Sequence, residues 1–157
     1  MDYVPKYIIV HHSAAEKPDP QFESINQWHK ARGFAVSELG YYVGYHLVIE
    51  KDGTKRRARN DLERDCDALG HNFDSLSVCL AGNLNISKPT TAQEIALADL
   101  LAYWCREYKM PYTEIKPHRA VGQTSCYGTN VPDSWAAYIT LQHEIECLRK
   151  IQDGLKV

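Results

Sequence analysis

No stretch of this 157-residue chain is apolar for long enough to cross a bilayer. The opening residues, Met1-Asp2-Tyr3-Val4-Pro5-Lys6, have neither the basic start nor the apolar core of a secretory leader. The expectation is a protein made in the cytoplasm without a signal peptide and kept there unless something else releases it. Charge of one sign is missing too: 18 Lys and Arg stand against 20 Asp and Glu, a formal net charge of -2. Nothing in that balance draws the chain to nucleic acid or to an anionic membrane. The short basic cluster Lys55-Arg56-Arg57 reads as a solvated edge strand or turn. There is no disulfide framework, because the five cysteines (Cys66, Cys79, Cys105, Cys126, Cys147) are odd in number and widely spaced. Cys79, Cys105 and Cys147 sit in apolar or helix-like stretches and read as small buried hydrophobes. Repeats, low-complexity tracts and linkers are also absent. What is present, 44% hydrophobic and 24% charged residues, is the composition of an ordinary globular protein. One domain over 1–157 is expected, and a monomer.

Tyr7-Ile8-Ile9-Val10-His11 is a β-branched run and predicts a buried strand. A helix follows Asp19-Pro20, with Ser24 and Gln27 at capping-box spacing, Ile25, Trp28 and His29 on one face, and Gly33 as its stop. Residues Gly44 to Glu50 predict a second strand, turned by Asp52-Gly53 into a polar return strand, Lys55 to Arg59. Ser75 to Gly82 predicts another strand. Thr91 and Glu94 form a second capping box that opens a long helix to about Lys109, ended with the help of Pro111. A final helix from Pro132-Asp133 is expected to pack through Trp135, Tyr138, Ile139, Ile145 and Leu148. The order implies the α/β class: a central mixed β-sheet flanked by helices.

Two distant fragments carry the chemistry, Val10-His11-His12-Ser13 and the loop from His118 to Cys126. Two imidazoles and a thiolate are zinc donors, and three protein ligands leave a fourth position open for catalysis. Successive strand side chains point to opposite faces, so only one of His11 and His12 can look into a given site. Spacing alone leaves the bland alternatives standing: a strand histidine is often packed in a core, and a loop cysteine is often only a thiol.

The motifs in chain order add a resemblance. Val-His-x-Ser at 10–13, Gln-Trp-His at 27–29, Gly-Tyr-His-Leu-Val-Ile-x-x-Asp-Gly-Thr at 44–54, Gly-His-Asn at 70–72, Ser-x-x-Val-x-Leu-x-Gly-Asn at 75–83, then His118-Arg119 and Cys126, follow one another. This series resembles the zinc-dependent N-acetylmuramoyl-L-alanine amidases, in particular the group of phage amidase-type lysozymes and animal peptidoglycan recognition proteins. It covers Ile8 to Cys126. The resemblance implies that fold, a Zn2+ cofactor held by His11, His118 and Cys126, and Tyr45 beside the metal as a catalytic hydrogen-bond donor. It implies Thr124 as a second catalytic candidate, at a position that is lysine in some members and threonine in others. His71, Asn72 and Asp67 fall in a segment that borders the substrate groove. Peptidoglycan is the implied substrate, and a small phage endolysin acting on the wall after membrane permeabilisation is the implied role.

The chain departs from the pattern in three places. Asp67 stands where members commonly carry the first histidine of His-Ala-x-Gly-His-Asn, and an ionised carboxylate can only accept hydrogen bonds. Cys126-Tyr127-Gly128 replaces Cys-Pro-Gly, which predicts a looser ligand loop with Tyr127 as a groove wall. The segment from Phe34 to Tyr42 is long and predicts an extra rim over the site. Rival readings are a non-catalytic peptidoglycan-binding protein, against which Cys126 speaks, and a regulator that binds phage or host RNA polymerase, as some phage relatives do. A cytoplasmic wall-recycling amidase, or a zinc amidase acting on a non-wall amide, shares the chemistry.

Overall fold

A computed structural model of the chain describes residues 4–155. The β-branched run forms β1 (Tyr7–His12), which lies between β4 (Ser75–Leu80) and β5 (Ile115–Pro117), parallel to both. β2 (Leu47–Ile49) joins the other side of β4 in parallel, and β3 (Lys55–Arg57) pairs with β2 antiparallel. The sheet order is β3-β2-β4-β1-β5, a mixed five-stranded sheet. Residues i and i+2 of a strand share a face. Ile8, Val10, Leu76, Val78 and Leu80 therefore pack on one side, against Leu97, Leu101 and Trp104 of α2 (Thr91–Glu107) and Trp135 of α3 (Trp135–Gly154). Val48 and Cys79 turn to the other side, where Phe22 and Ile25 of α1 (Phe22–Ala31) cover them. The α/β reading of the sequence holds.

Several local expectations do not. β2 is shorter than Gly44 to Glu50, and β5 was not expected at all. α1 is not capped by Ser24. Its cap is the buried Glu50 carboxylate, which accepts from the Gln21 and Phe22 backbone N–H groups at 2.8 and 2.9 Å. Hydrogen bonds to a charged acceptor contribute about 1.5–3 kcal/mol each, so a residue at the end of β2 starts a helix far from it in sequence. α2 is capped one residue earlier than expected, by Thr90 with Gln93 closing the box. On α3, Trp135 is buried and Ile139 packs against the core as expected, but Tyr138 and Leu148 are 60% and 63% exposed, and Ala136 and Thr140 complete the buried face. Trp28, expected on the buried face of α1, is 56% exposed.

Two buried histidines are held neutral. His46 accepts from the Ser77 N–H at Nδ1 (3.0 Å), and its Nε2 lies 2.9 Å from the Glu63 carbonyl. Burial outweighs that carbonyl and lowers its pKa to about 4. His29 accepts from the Gly44 N–H at 2.9 Å and stacks on Phe34, and burial together with Arg32 lowers it to about 4 as well. A histidine lowered in the folded state contributes stability above its unfolded value of 6.5 and loses it as the pH falls toward about 4. In the chelator-treated protein, the slope of Tm against pH through that window should therefore be shallower for His46→Gln than for wild type, as thermal melts would show.

Candidate metal centre

The cleft opens at the C-terminal ends of the parallel strands, where open α/β sheets place their ligands. β1 delivers two histidines to opposite faces. His12 points away from His11: its Nδ1 accepts from the Leu84 N–H at 3.0 Å, and burial first, then His11 and Arg119, lower its pKa to about 4. His11 turns to the cleft. β5 runs beside β1 with Pro117 opposite Val10, so the residues that follow, His118 and His11, emerge as neighbours with ring centroids 4.4 Å apart. Pro117 is tolerated because β5 is an edge strand.

The third donor comes from a loop that is stapled to the fold. The Arg119 N–H donates to the Cys126 carbonyl at 2.7 Å, and the Arg119 guanidinium donates to the carbonyls of Gly128 and Val131 and to the Asp133 carboxylate. Gly128 has φ +107°, and a Cβ there would lie 2.4 Å from the Leu84 backbone. Tyr127 is not a groove wall. It is 0% exposed, its ring edge meets Trp135, and its hydroxyl lies 2.9 and 2.8 Å from the Pro132 and Asp133 carbonyls. The side chain that replaces proline ties the loop down from below, which corrects the expectation of a looser loop.

The donor atoms of His11, His118 and Cys126 all lie within 4.8 Å of one another, and His11 Nδ1 is 3.7 Å from Cys126 Sγ. Tetrahedral zinc with bonds of about 2.0–2.3 Å separates its donors by about 3.5 Å, so the set fits the ion. Electrostatics agree. Burial alone would raise the Cys126 thiol, but the His11 charge and hydrogen bonds from His11, His118 and the His12 N–H bring it down to about 6. The thiolate, the form that binds metals, is thereby favoured. Without the ion His11 carries the matching proton: burial disfavours its imidazolium, yet Cys126 and Asp67 outweigh burial and raise it to about 10, so a cation binding there must displace that proton.

The remaining residues line a cleft of about 620 Å³. The Tyr45 ring is 4.8 Å from that of His11. Burial, then the neighbouring Cys79, Cys126 and Asp67, push its pKa well above the usual value, so it stays a neutral phenol able to donate. Thr124 is exposed in the cleft wall, and its Oγ1 accepts from the Cys126 N–H at 3.2 Å. Asn72 lines the cleft with its Oδ1 on the Ala68 N–H. His71 lies outside that lining: the imidazole is engaged by Asp74 at 3.2 Å and by the Tyr7 ring edge-on. Asp67 borders the cleft, but its carboxylate is 0% exposed and 2.6 Å from His11 Nε2, so it meets a ligand residue and not the groove. Phe34 is the part of the long segment that reaches the cleft. Trp28 and Arg32 add a rim, with the guanidinium 4.6 Å from the indole ring. The sequence places Trp28 on the helix face of Ile25 and His29, and nothing local marks Arg32.

Comparison with known proteins adds independent weight. The profile of the N-acetylmuramoyl-L-alanine amidase family matches residues 1–129. The endolysin of Enterobacteria phage T3 is 30% identical over 131 residues, covering 79% of this chain and 82% of its own. Peptidoglycan-recognition protein SC2 of Drosophila melanogaster is 28% identical over 127 residues, covering 80% and 69%. Among solved structures, the N-acetylmuramoyl-L-alanine amidase LysC from Clostridium intestinale URNW superposes with a TM-score of 0.72 at 34% identity, covering 83% of this chain and 80% of the other.

The strained position in the ligand loop gives a direct test. Gly128→Ala should lose about 1–3 kcal/mol from left-handed backbone strain, and more where the Leu84 backbone must move. A urea titration should show the shift in midpoint, with weaker zinc binding as the Cys126 loop is displaced.

Proposed function

Since the chain belongs to the N-acetylmuramoyl-L-alanine amidase family, we propose that it acts as one zinc-dependent catalytic domain. Its reaction is hydrolysis of the amide between the lactyl group of N-acetylmuramic acid and L-alanine in peptidoglycan. The observation that carries this reading is the convergence of His11, His118 and Cys126 on the floor of a cleft beside Tyr45. In this reading those three residues hold the ion, which supplies Lewis acidity to polarise the scissile carbonyl and acidify water. Endolysin is the biological role we assign, in keeping with the phage relative.

The chain's own groups divide the remaining work. Tyr45, a neutral phenol at the edge of the site, donates a hydrogen bond to the carbonyl oxygen as charge gathers there. Thr124 supplies a neutral hydroxyl in the cleft wall, where a lysine would have added a positive charge. Its weaker field makes Tyr45 the main donor. Asn72 and the Trp28–Arg32 rim bound the groove in which the stem peptide and glycan lie.

Metal content and peptide release, measured together on purified peptidoglycan, test this. Wild type should carry about one zinc per chain and release stem peptide, and Cys126→Ser should lose both. Zinc bound without peptide release would reject the amidase reading in favour of a binding role. For Tyr45→Phe the zinc content should be unchanged while the rate falls at least ~100-fold. A rate within a few-fold of wild type would remove Tyr45 from the mechanism.

A further inference from the structure

Asp67 occupies a position where the resembling proteins commonly carry a histidine, and its surroundings explain what a carboxylate does there. Its Oδ2 lies 2.6 Å from His11 Nε2, with the two side chains 0% and 2% exposed. An ionised carboxylate has no proton to give, so Nε2 of His11 carries the hydrogen and donates it. Once the ring is neutral, this tautomer leaves the lone pair on Nδ1, the nitrogen that faces Cys126 Sγ at 3.7 Å.

We infer that Asp67 is a positioning residue of the metal centre: it fixes His11 in the orientation and tautomer that presents Nδ1 to a divalent cation, and it brings a second negative charge to the site beside the Cys126 thiolate. This rests on the metal reading given above. Two further observations support it. The loop on either side of Asp67 is pinned, by the Cys66 N–H to the Gly44 carbonyl at 2.9 Å and by the Ala68 N–H to Asn72 Oδ1 at 3.3 Å, so the carboxylate is held in place. A second buried acid, Asp65, whose Oδ2 accepts from Ser75 Oγ at 3.1 Å, is hydrogen-bonded to the Asp67 side chain, so Asp67 is held between Asp65 and His11.

The charge count separates this chain from a relative with histidine at the position. A dication beside one thiolate and one carboxylate forms a nearly neutral cluster; with a neutral imidazole in place of Asp67 it keeps one positive charge. The carboxylate therefore favours retention of the metal and makes His11 a more basic ligand.

The test uses the full chain as wild type, Asp67→Asn and Asp67→His. Zinc affinity is measured by chelator competition, the Tm of each metal-free form by thermal melts, and the thiolate-to-metal absorption band after cobalt substitution. Asp67→Asn should weaken zinc binding about 10–100-fold, with the metal-free Tm unchanged or higher and the cobalt–thiolate band retained. Asp67→His should also bind more weakly than wild type. Unchanged zinc affinity in Asp67→Asn would overturn the inference. So would a loss of affinity matched by a drop in the metal-free Tm, the result of a purely structural role. A wild type that takes up no zinc would instead overturn the metal reading itself, and this inference with it.

Discussion

Everything at the site depends on the register of two parallel strands. β1 and β5 pair with Val10 opposite Pro117, so the chain places the next residue of each strand, His11 and His118, side by side where the ladder ends. A slip of one residue would carry His11 to the opposite face of the sheet, since side chains alternate with a period of two. That face is already filled: Ile8 and Val10 are buried against α2 and α3. The hydrophobic alternation of β1 thus enforces the pairing that makes the metal site, and the apolar core and the donor set are fixed by the same constraint.

Beyond the strand ends the walls of the cleft are irregular, and two arginines hold them. Arg119 joins the carbonyls and carboxylate of the loop from Cys126 to Asp133. Arg59, 2% exposed, does the same on the other side, donating to the carbonyls of Val43 at 2.8 Å, Ala35 at 2.6 Å and Arg64 at 3.1 Å, with the Glu63 carboxylate as counter-charge. A guanidinium suits this task because its donors are fixed in one plane and satisfy several carbonyls at once. Loops without a ladder of their own gain from these side chains the satisfaction of backbone groups that strands obtain from their neighbours. Tyr127 adds a third tie beneath the ligand loop, through its hydroxyl on the Pro132 and Asp133 carbonyls.

The sequence displayed β1, the Asp52-Gly53 hairpin, the long second helix and the three donors, because each rests on a local pattern or on a chain of motifs. It hid what depends on distant partners. β5 is three residues long and contains a proline, so no periodicity marks it, and only its pairing with β1 makes it a strand. The cap of α1 is Glu50, a partner no capping box can reveal. Thr90 and Thr91 each have a suitable residue three positions on, so the two boxes overlap and only the structure chooses between them. α3 has apolar residues around most of its circumference, and packing selects Trp135, Ala136 and Thr140 while Tyr138 and Leu148 stay outside. Asp67 was legible as a departure from the pattern, but the carboxylate was assigned to the groove because its true partner, His11, lies 56 residues away.

Three protonation states must coexist within a few ångströms for the centre to work, and each is set by a different neighbour. Cys126 must be a thiolate; in the metal-free protein the His11 charge and the hydrogen bonds around it favour that against the opposing pull of burial, and a bound cation would take the place of the His11 proton as the thiolate's partner. Tyr45 must keep its proton, and here burial acts in the useful direction, reinforced by nearby acidic groups. His11 must present one nitrogen bare and the other capped, a condition that burial cannot impose and a directional acceptor can. Desolvation alone would raise both the thiol and the phenol and would leave the imidazole tautomer unspecified. The separation of roles therefore rests on hydrogen bonds with direction, and these depend on the strand register and on the loops that the two arginines hold in place.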